Sequence, residues 1–177
     1  FYTNILGMRL VKKNVNQDDL STYHLYFADD RARPGTDMTF FDFKGIGAHK
    51  KGTNDISKTT FRVRDDASLE YWLKRFKKYD VKHESITEMF GRKMINFSDF
   101  DDQYALISDQ HDTGIPAGEP WFKGPVPNEF GIVGLGPIFL RVTHRDYMEQ
   151  VLTIIMKMKK IQTEGEYTLF EMHEGGN

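Results

Sequence analysis

The stretch Phe61-Arg62-Val63-Arg64-Asp65-Asp66-Ala67-Ser68-Leu69-Glu70-Tyr71-Trp72-Leu73 decides the architecture, because its hydrophobic period changes within a few residues. Residues 58–64 alternate as a strand does, and Asp65-Asp66 supplies carboxylates suited to cap a helix over 67–79. Leu69, Trp72, Leu73 and Phe76 then fall on one face of that helix. The same order returns where Leu140-Arg141-Val142 precedes Asp146, with Glu149 in the register of Glu70 and Leu152 in that of Leu73. One constant displacement superposes strand, helix and strand, so the chain carries copies of a strand-helix-strand-strand-strand unit.

Further strands are expected around this segment at Arg9–Val15, 22–27, 38–43 (after the Pro34-Gly35 turn), 83–87, 93–97 and 104–108. Asp99-Phe100-Asp101-Asp102 forms the turn between the last two. Residues 46–54 read as a solvated connector, and the proline-rich 114–128 as a linker without periodicity. A strand over 138–143 then leads to a helix over 146–160, with Val151, Leu152, Ile155 and Met158 inward, and a strand-like run over 167–172.

The fold class expected is α+β, with repeated βαβββ modules forming curved mixed sheets and helices on the outer face. Residues 1–45 are a partial first module lacking its opening strand, 56–110 a second module, 111–130 a linker, and 131–177 a third module lacking its closing strands. Phe1-Tyr2-Thr3-Asn4-Ile5-Leu6 reads as the tail of an amphipathic helix closed by Gly7, and the chain as a piece of a longer polypeptide. A single module leaves one sheet face bare, which favours pairing of modules around a cavity.

Composition narrows the chemistry. The chain has 177 residues, 39% hydrophobic and 28% charged, which is ordinary for globular domains. Lys plus Arg number 24 against 26 Asp plus Glu, so no basic field points to nucleic acid. No apolar run approaches the ~20 residues needed to span a bilayer, and no signal-peptide pattern opens the sequence. A cytoplasmic location without membrane contact is the expectation. With no cysteine, thiolate catalysis, cysteine-ligated zinc, iron–sulfur clusters and disulfides are all excluded, and a metal site must draw on carboxylates and the six His.

The repeat, together with Leu6-Gly7-Met8-Arg9-Leu10-Val11-Lys12-Lys13, Thr22-Tyr23-His24-Leu25-Tyr26, the Pro34-Gly35-Thr36 turn leading to Thr39-Phe40-Phe41, and Gly134-Leu135-Gly136-Pro137, resembles the vicinal oxygen chelate superfamily. Within it, the chain looks like the hydroquinone-type ring-cleaving dioxygenases. The resemblance implies four modules and one Fe(II) or Mn(II) held by two His and one Glu, cleaving a small aromatic substrate with O2. Those ligands lie on the opening strand of the first module and on the first and last strands of the fourth, so all three are expected outside this chain, and the segment alone is expected to be inactive. Counting from the turns places Phe40 and Leu106 at the positions equivalent to the ligand Glu, where neither side chain can bind a metal. A non-catalytic quinone-binding protein and a glyoxalase-type isomerase are the alternatives on the same scaffold, and the oligomeric state is open, a homo-oligomer included.

The substrate-binding candidates are His24, Tyr26 and Phe40. His24 and Tyr26 share one strand face and could hold a phenol or quinol by hydrogen bonding, or form a structural polar pair; Phe40 could stack on an aromatic ring or belong to the core. Glu171, His173 and His144 could be drawn as a metal triad, but His144 sits where a helix cap is expected, and the family has no ligands there. The pairs Asp29-Asp30, Asp65-Asp66 and Asp101-Asp102 read as turn and cap residues. Lys157, Lys159 and Lys160 read as cations closing a helix, and His49, His83 and His111 as residues of polar connectors.

Overall fold

The computed structural model describes residues 1–111 and 114–172. Residues 2–6 make a short helical turn that ends at Gly7, whose φ of 71° is the left-handed conformation glycine tolerates. Strands β1 (Arg9–Val15), β2 (Tyr23–Ala28) and β3 (Met38–Phe41) follow as an antiparallel sheet in the order β1-β2-β3. Leu25, Phe27, Met38 and Phe40 turn one face of this sheet into the main core, where Tyr2 and Leu6 pack.

Strand β4 (Asp55–Val63) leads into helix α1 (Asp66–Lys78). The Asp65 carboxylate accepts hydrogen bonds from Ser68 N at 2.8 Å and Ser68 Oγ at 2.7 Å, which satisfies a first-turn amide that would otherwise be orphaned. Leu69, Trp72 and Phe76 are fully buried on the inward face of α1. They pack in one core with Phe61 and Val63 of β4, Ile86 of β5 (His83–Met89), Ile95 and Phe97 of β6 (Arg92–Ser98), and Tyr104 and Leu106 of β7 (Gln103–Ser108). β7 returns parallel beside β4, while β5, β6 and β7 pair antiparallel. This is a full βαβββ unit with its helix on the outer face, as the sequence pattern requires.

Strand β8 (Ile132–Arg141) runs antiparallel to β4 and completes a mixed sheet of order β5-β6-β7-β4-β8. It starts six residues before the strand read from sequence, so Gly134-Leu135-Gly136-Pro137 lies inside it. These glycines make room for β4 side chains: a Cβ on Gly134 would stand 2.8 Å from Arg62 Nη2.

The third module departs most from expectation. Its helix α2 (Arg145–Gln150) continues through one π-helical turn, Val151–Ile155, and then stops. Lys157 takes φ 60°, and strands β9 (Lys159–Glu164) and β10 (Tyr167–Glu171) form an antiparallel hairpin. Lys159 and Lys160 are therefore strand residues and do not close a helix. The third module thus carries two strands after its helix among the described residues. This hairpin leans on the larger sheet, with Tyr167 edge-on to Phe139 at 6.1 Å and Glu164 Oε2 accepting from Phe90 N at 2.8 Å. No helix among the described residues is long and apolar enough to cross a membrane.

Candidate functional site

The strand register sorts the β1-β2-β3 sheet into two chemically different faces. His24 is opposite Phe41 and Tyr26 opposite Thr39, whereas Leu25 is opposite Phe40 and Phe27 opposite Met38. Since side chains alternate across a strand, the core takes Leu25, Phe27, Met38 and Phe40, and the other face carries His24, Tyr26, Thr39 and Phe41. The structure therefore brings His24 and Tyr26 together and leaves Phe40 apart from them. The Phe40 ring lies 4.3 Å from that of Tyr2 and 5.8 Å from that of Phe27, a core position.

His24 and Tyr26 form one unit. Tyr26 Oη and His24 Nδ1 share a hydrogen bond of 2.8 Å, and their rings stand 4.1 Å apart. The imidazole also stacks on Phe41, again at 4.1 Å. These contacts fix the ring plane of His24, and its Nε2 is buried without a hydrogen-bond partner. Whichever tautomer the Tyr26 bond selects, Nε2 retains an unused valence: N–H if Tyr26 donates to Nδ1, or a lone pair if Nδ1 donates to Tyr26. A buried polar atom left this way costs about 1–3 kcal/mol, a deficit that a ligand oxygen at this position would remove.

Charge surrounds this pair on one side. Lys12, opposite Tyr26 on β1, holds its Nζ 5.1 Å from the centroid of the Tyr26 ring. Loss of hydration raises the Asp37 carboxyl above its ordinary value, and the charges of His24 and Lys12 pull against that rise. The face thus offers an imidazole, a phenol, an aromatic wall and a cation, a set suited to an aromatic ring bearing oxygen.

A metal first shell is not among the described residues: no group of three His, Asp or Glu could hold an ion. The count that placed Phe40 and Leu106 at a ligand position is corrected by the register, because both point into the core beside Tyr2 and Phe61 and away from the open faces. The residues that flank them on those faces are Thr39 and Phe41, and Ala105 and Ile107, none of which carries a carboxylate or an imidazole. His144 occupies the N-cap position of α2 but makes no side-chain cap bond; Glu171 ends β10, and His173 lies outside the described residues. Of the paired aspartates, Asp65 caps α1, and Asp101 and Asp102 donate their backbone amides to Asp99 Oδ1, each at 2.8 Å.

Two further polar groups escaped the sequence reading. Arg62 is almost wholly buried and donates to the carbonyls of Leu135, Ile115 and Pro116 and to Asp109 Oδ2, while Asp109 Oδ1 receives Arg92. Lys58, on the same side of β4, bonds Asn96 Oδ1 at 2.6 Å. Both share a face of β4 with Thr60, and that period-2 spacing was the signal available. That the face turned away from α1 is covered at Arg62 becomes visible only once β8 is known to flank β4.

No family model matches the chain. The chain is 38% identical to MhqA of Bacillus subtilis strain 168, provisionally named a ring-cleaving dioxygenase, over 99% of this chain and 57% of that protein. It is 28% identical to the chlorohydroquinone/hydroquinone 1,2-dioxygenase of Sphingobium indicum, over 97% of this chain and 53% of that one. A crystal structure from Bacillus subtilis, provisionally named a dioxygenase, superposes with a TM-score of 0.83 at 30% identity, covering 97% of this chain and 54% of that one. A glyoxylase/bleomycin resistance protein/dioxygenase domain from Frankia shares the fold at a TM-score of 0.50 and 16% identity, over 62% of this chain and 79% of that one. The chain spans about half the length of the curated relatives it matches.

Proposed function

We propose that this chain belongs to the vicinal oxygen chelate superfamily and that the polypeptide carrying it is a ring-cleaving dioxygenase that acts on hydroquinone-like aromatics with O2. The observation that carries the proposal is the buried, unpartnered Nε2 of His24, held by Tyr26 and Phe41 on the sheet face turned away from the core. The names of the relatives, which include a chlorohydroquinone/hydroquinone 1,2-dioxygenase, supply the substrate class.

In this reading His24 Nε2 bonds a ring oxygen of the quinol, and Phe41 lines one side of the ring. With Nδ1–H donated to Tyr26 Oη, Nε2 carries the lone pair, so the imidazole takes the proton of a quinol hydroxyl at Nε2, becomes imidazolium, and returns that proton from the same nitrogen later. Lys12 stabilises negative charge on the oxygenated ring. Fe(II) or Mn(II), the metal of such an enzyme, would bring quinol and O2 together, and its ligand set would be completed by side chains other than the described ones.

The test is oxygen uptake. The polypeptide as the cell makes it, loaded anaerobically with Fe(II) or Mn(II), should consume O2 with hydroquinone and yield a ring-opened product. Residues 1–177 alone should not. Absence of uptake with either metal rejects the dioxygenase reading, and turnover by residues 1–177 alone rejects the placement of the metal ligands.

A further inference from the structure

Between β3 and β4 the chain crosses a long connector that is tied at its two ends. At the near end Asp42 N donates to Tyr23 O at 3.0 Å; at the far end Asn54 N donates to Arg141 O, and Arg141 Nη1 donates to Gly52 O at 3.4 Å. Residues 43–51 between these ties are exposed and form neither strand nor helix. Among the described residues, one member of this stretch makes a hydrogen bond or ion pair with the rest of the chain. His49 Nδ1 lies 2.6 Å from Asp102 Oδ1, and its Nε2 lies 3.9 Å from Asp55 Oδ2 at the start of β4. The other oxygen of Asp55 is buried with no hydrogen-bond partner. The remaining charged groups around the imidazole are Asp101 of the same turn as Asp102, Arg141 of β8 and Lys51 of the connector itself. At its near end the connector carries Phe43, whose ring stacks on Phe41 at 5.6 Å, and Phe41 in turn stacks on His24.

We propose that residues 43–51 are a strap that His49 fastens between Asp102 and Asp55, that the fastening loosens as pH rises, and that it sets how firmly Phe43 lies against Phe41. A protonated imidazole donates from both ring nitrogens and so serves both carboxylates, whereas a neutral ring has a single N–H and no charge. Imidazole makes this change between about pH 5 and about pH 8. The surroundings favour the fastened form, because Asp102, Asp55 and Asp101 outnumber Arg141 and Lys51. No ladder bond holds the middle of the connector, so release of His49 frees the whole stretch between its end ties. Loosening then withdraws an aromatic ring from beside the His24 face. This last consequence rests on the hydroquinone reading above; the clasp does not.

The test exposes the complete polypeptide and its His49→Gln variant, which keeps a neutral donor, to limiting trypsin between about pH 6 and about pH 8.5. Cuts after Lys50 and Lys51 are followed by mass spectrometry, and the ratio of the two proteins' rates cancels the protease's own pH dependence. Cutting after the exposed Lys157 is the control for unfolding. Both ion pairs are partly exposed, so at the acid end the variant should be cut at the connector about threefold to fivefold faster, and this ratio should fall as pH rises. Asp102→Asn should behave as His49→Gln does. A ratio near one at the acid end, or one that ignores pH, overturns the clasp. In oxygen uptake at the acid end, His49→Gln should raise KM for hydroquinone about threefold and change kcat by less than about twofold. An unchanged KM beside a pH-dependent cutting ratio overturns the link from the clasp to Phe43. Absence of uptake in the unmodified polypeptide rejects the hydroquinone reading and that link together. Proteolysis needs neither metal, O2 nor quinol, and decides the clasp in either case.

Discussion

Replacing Asp109 by alanine should destabilise the protein far more than removing an ordinary ion pair. The Arg62 side chain is 1% exposed and that of Asp109 12%, and the carboxylate bridges two cations, Arg62 at 2.8 Å and Arg92 at 2.7 Å. Arg62 also donates to Leu135 O at 2.9 Å, and to Ile115 O and Pro116 O, each at 3.1 Å, so it cannot swing out to water without breaking the linker and β8 contacts together. Asp109→Ala therefore strands a buried guanidinium, which costs about 3–5 kcal/mol. Against a total stability of about 5–15 kcal/mol this is a large share. At roughly 2–4 °C per kcal/mol for a chain of this size, the melting temperature should fall by about 10 °C. The exposed Lys160–Glu149 pair is the internal control, and Glu149→Ala should cost no more than about 1 kcal/mol. Urea midpoints followed by circular dichroism read both. A loss below about 1 kcal/mol for Asp109→Ala would mean that the guanidinium finds water, and the account of Arg62 as the tie between linker and sheet would be wrong.

In the complete polypeptide, His24→Ala should lower kcat for hydroquinone-dependent oxygen uptake by about 10²–10⁴, and Tyr26→Phe by less, because the imidazole survives without its proton partner. A fall of under threefold in both would remove this pair from the reaction. Burial pushes the Asp29 carboxyl up, but the amides of Glu119, Arg33 and Arg31 and the charge of Arg33 prevail and hold it below its usual value. A carboxyl lowered on folding adds stability above its unfolded pKa that is lost as pH falls through the folded one. Asp29→Asn should therefore shrink the gap in urea midpoint between about pH 7 and about pH 3, and an unchanged gap would contradict this. Gly7→Ala combines a φ of 71° with a Cβ placed 2.6 Å from Val126 Cγ2, and should cost about 2 kcal/mol by the same assay; a neutral result would show that this turn relaxes freely.

The module at 55–108 was legible because its signals are local. A period-2 run, a capping aspartate and a period-3.6 face succeed one another without interruption, and each is decided by residues close in sequence. The pairing of His24 with Tyr26 was legible for the same reason, since alternation alone puts them on one face. Phe40 was not: its face depends on the register of β3 against β2, and an error of one residue in counting from the Pro34-Gly35 turn reverses it. The β9 strand was hidden differently. Lys159–Glu164 is exposed along its whole length, so no alternation distinguishes it from the end of a helix, and the left-handed Lys157 that stops the helix is not a glycine. The partners of Arg62 and Lys58 could be recognised only from long-range contacts, because the groups that enclose them, Leu135, Ile115, Pro116 and Asp109 for the first and Asn96 and Phe139 for the second, are distant in sequence.

The duplicated unit separates what the backbone determines from what the side chains determine. In the first sheet the open-face pairs are His24 with Phe41 and Tyr26 with Thr39; at the matching pairs of β6 and β7 stand Met94 with Ile107 and Asn96 with Ala105. The antiparallel pairing is the same and the chemistry differs. On the second sheet, Asn96 is saturated by Lys58 and Glu84, and the apolar floor closes over Met94 and Ala105. On the first sheet, the imidazole keeps an empty valence that no neighbour fills. A structural role explains a polar group whose bonds are complete, and the second sheet fits that description. It does not explain why the first sheet orients an imidazole with three aromatic and hydrogen-bonding contacts and then leaves its outer nitrogen unpaired in a buried place. That deficit is stable only if the remainder of the fold supports it, and in the proposed function its removal by a ligand oxygen is the reason to assign substrate to this face of the two the fold supplies.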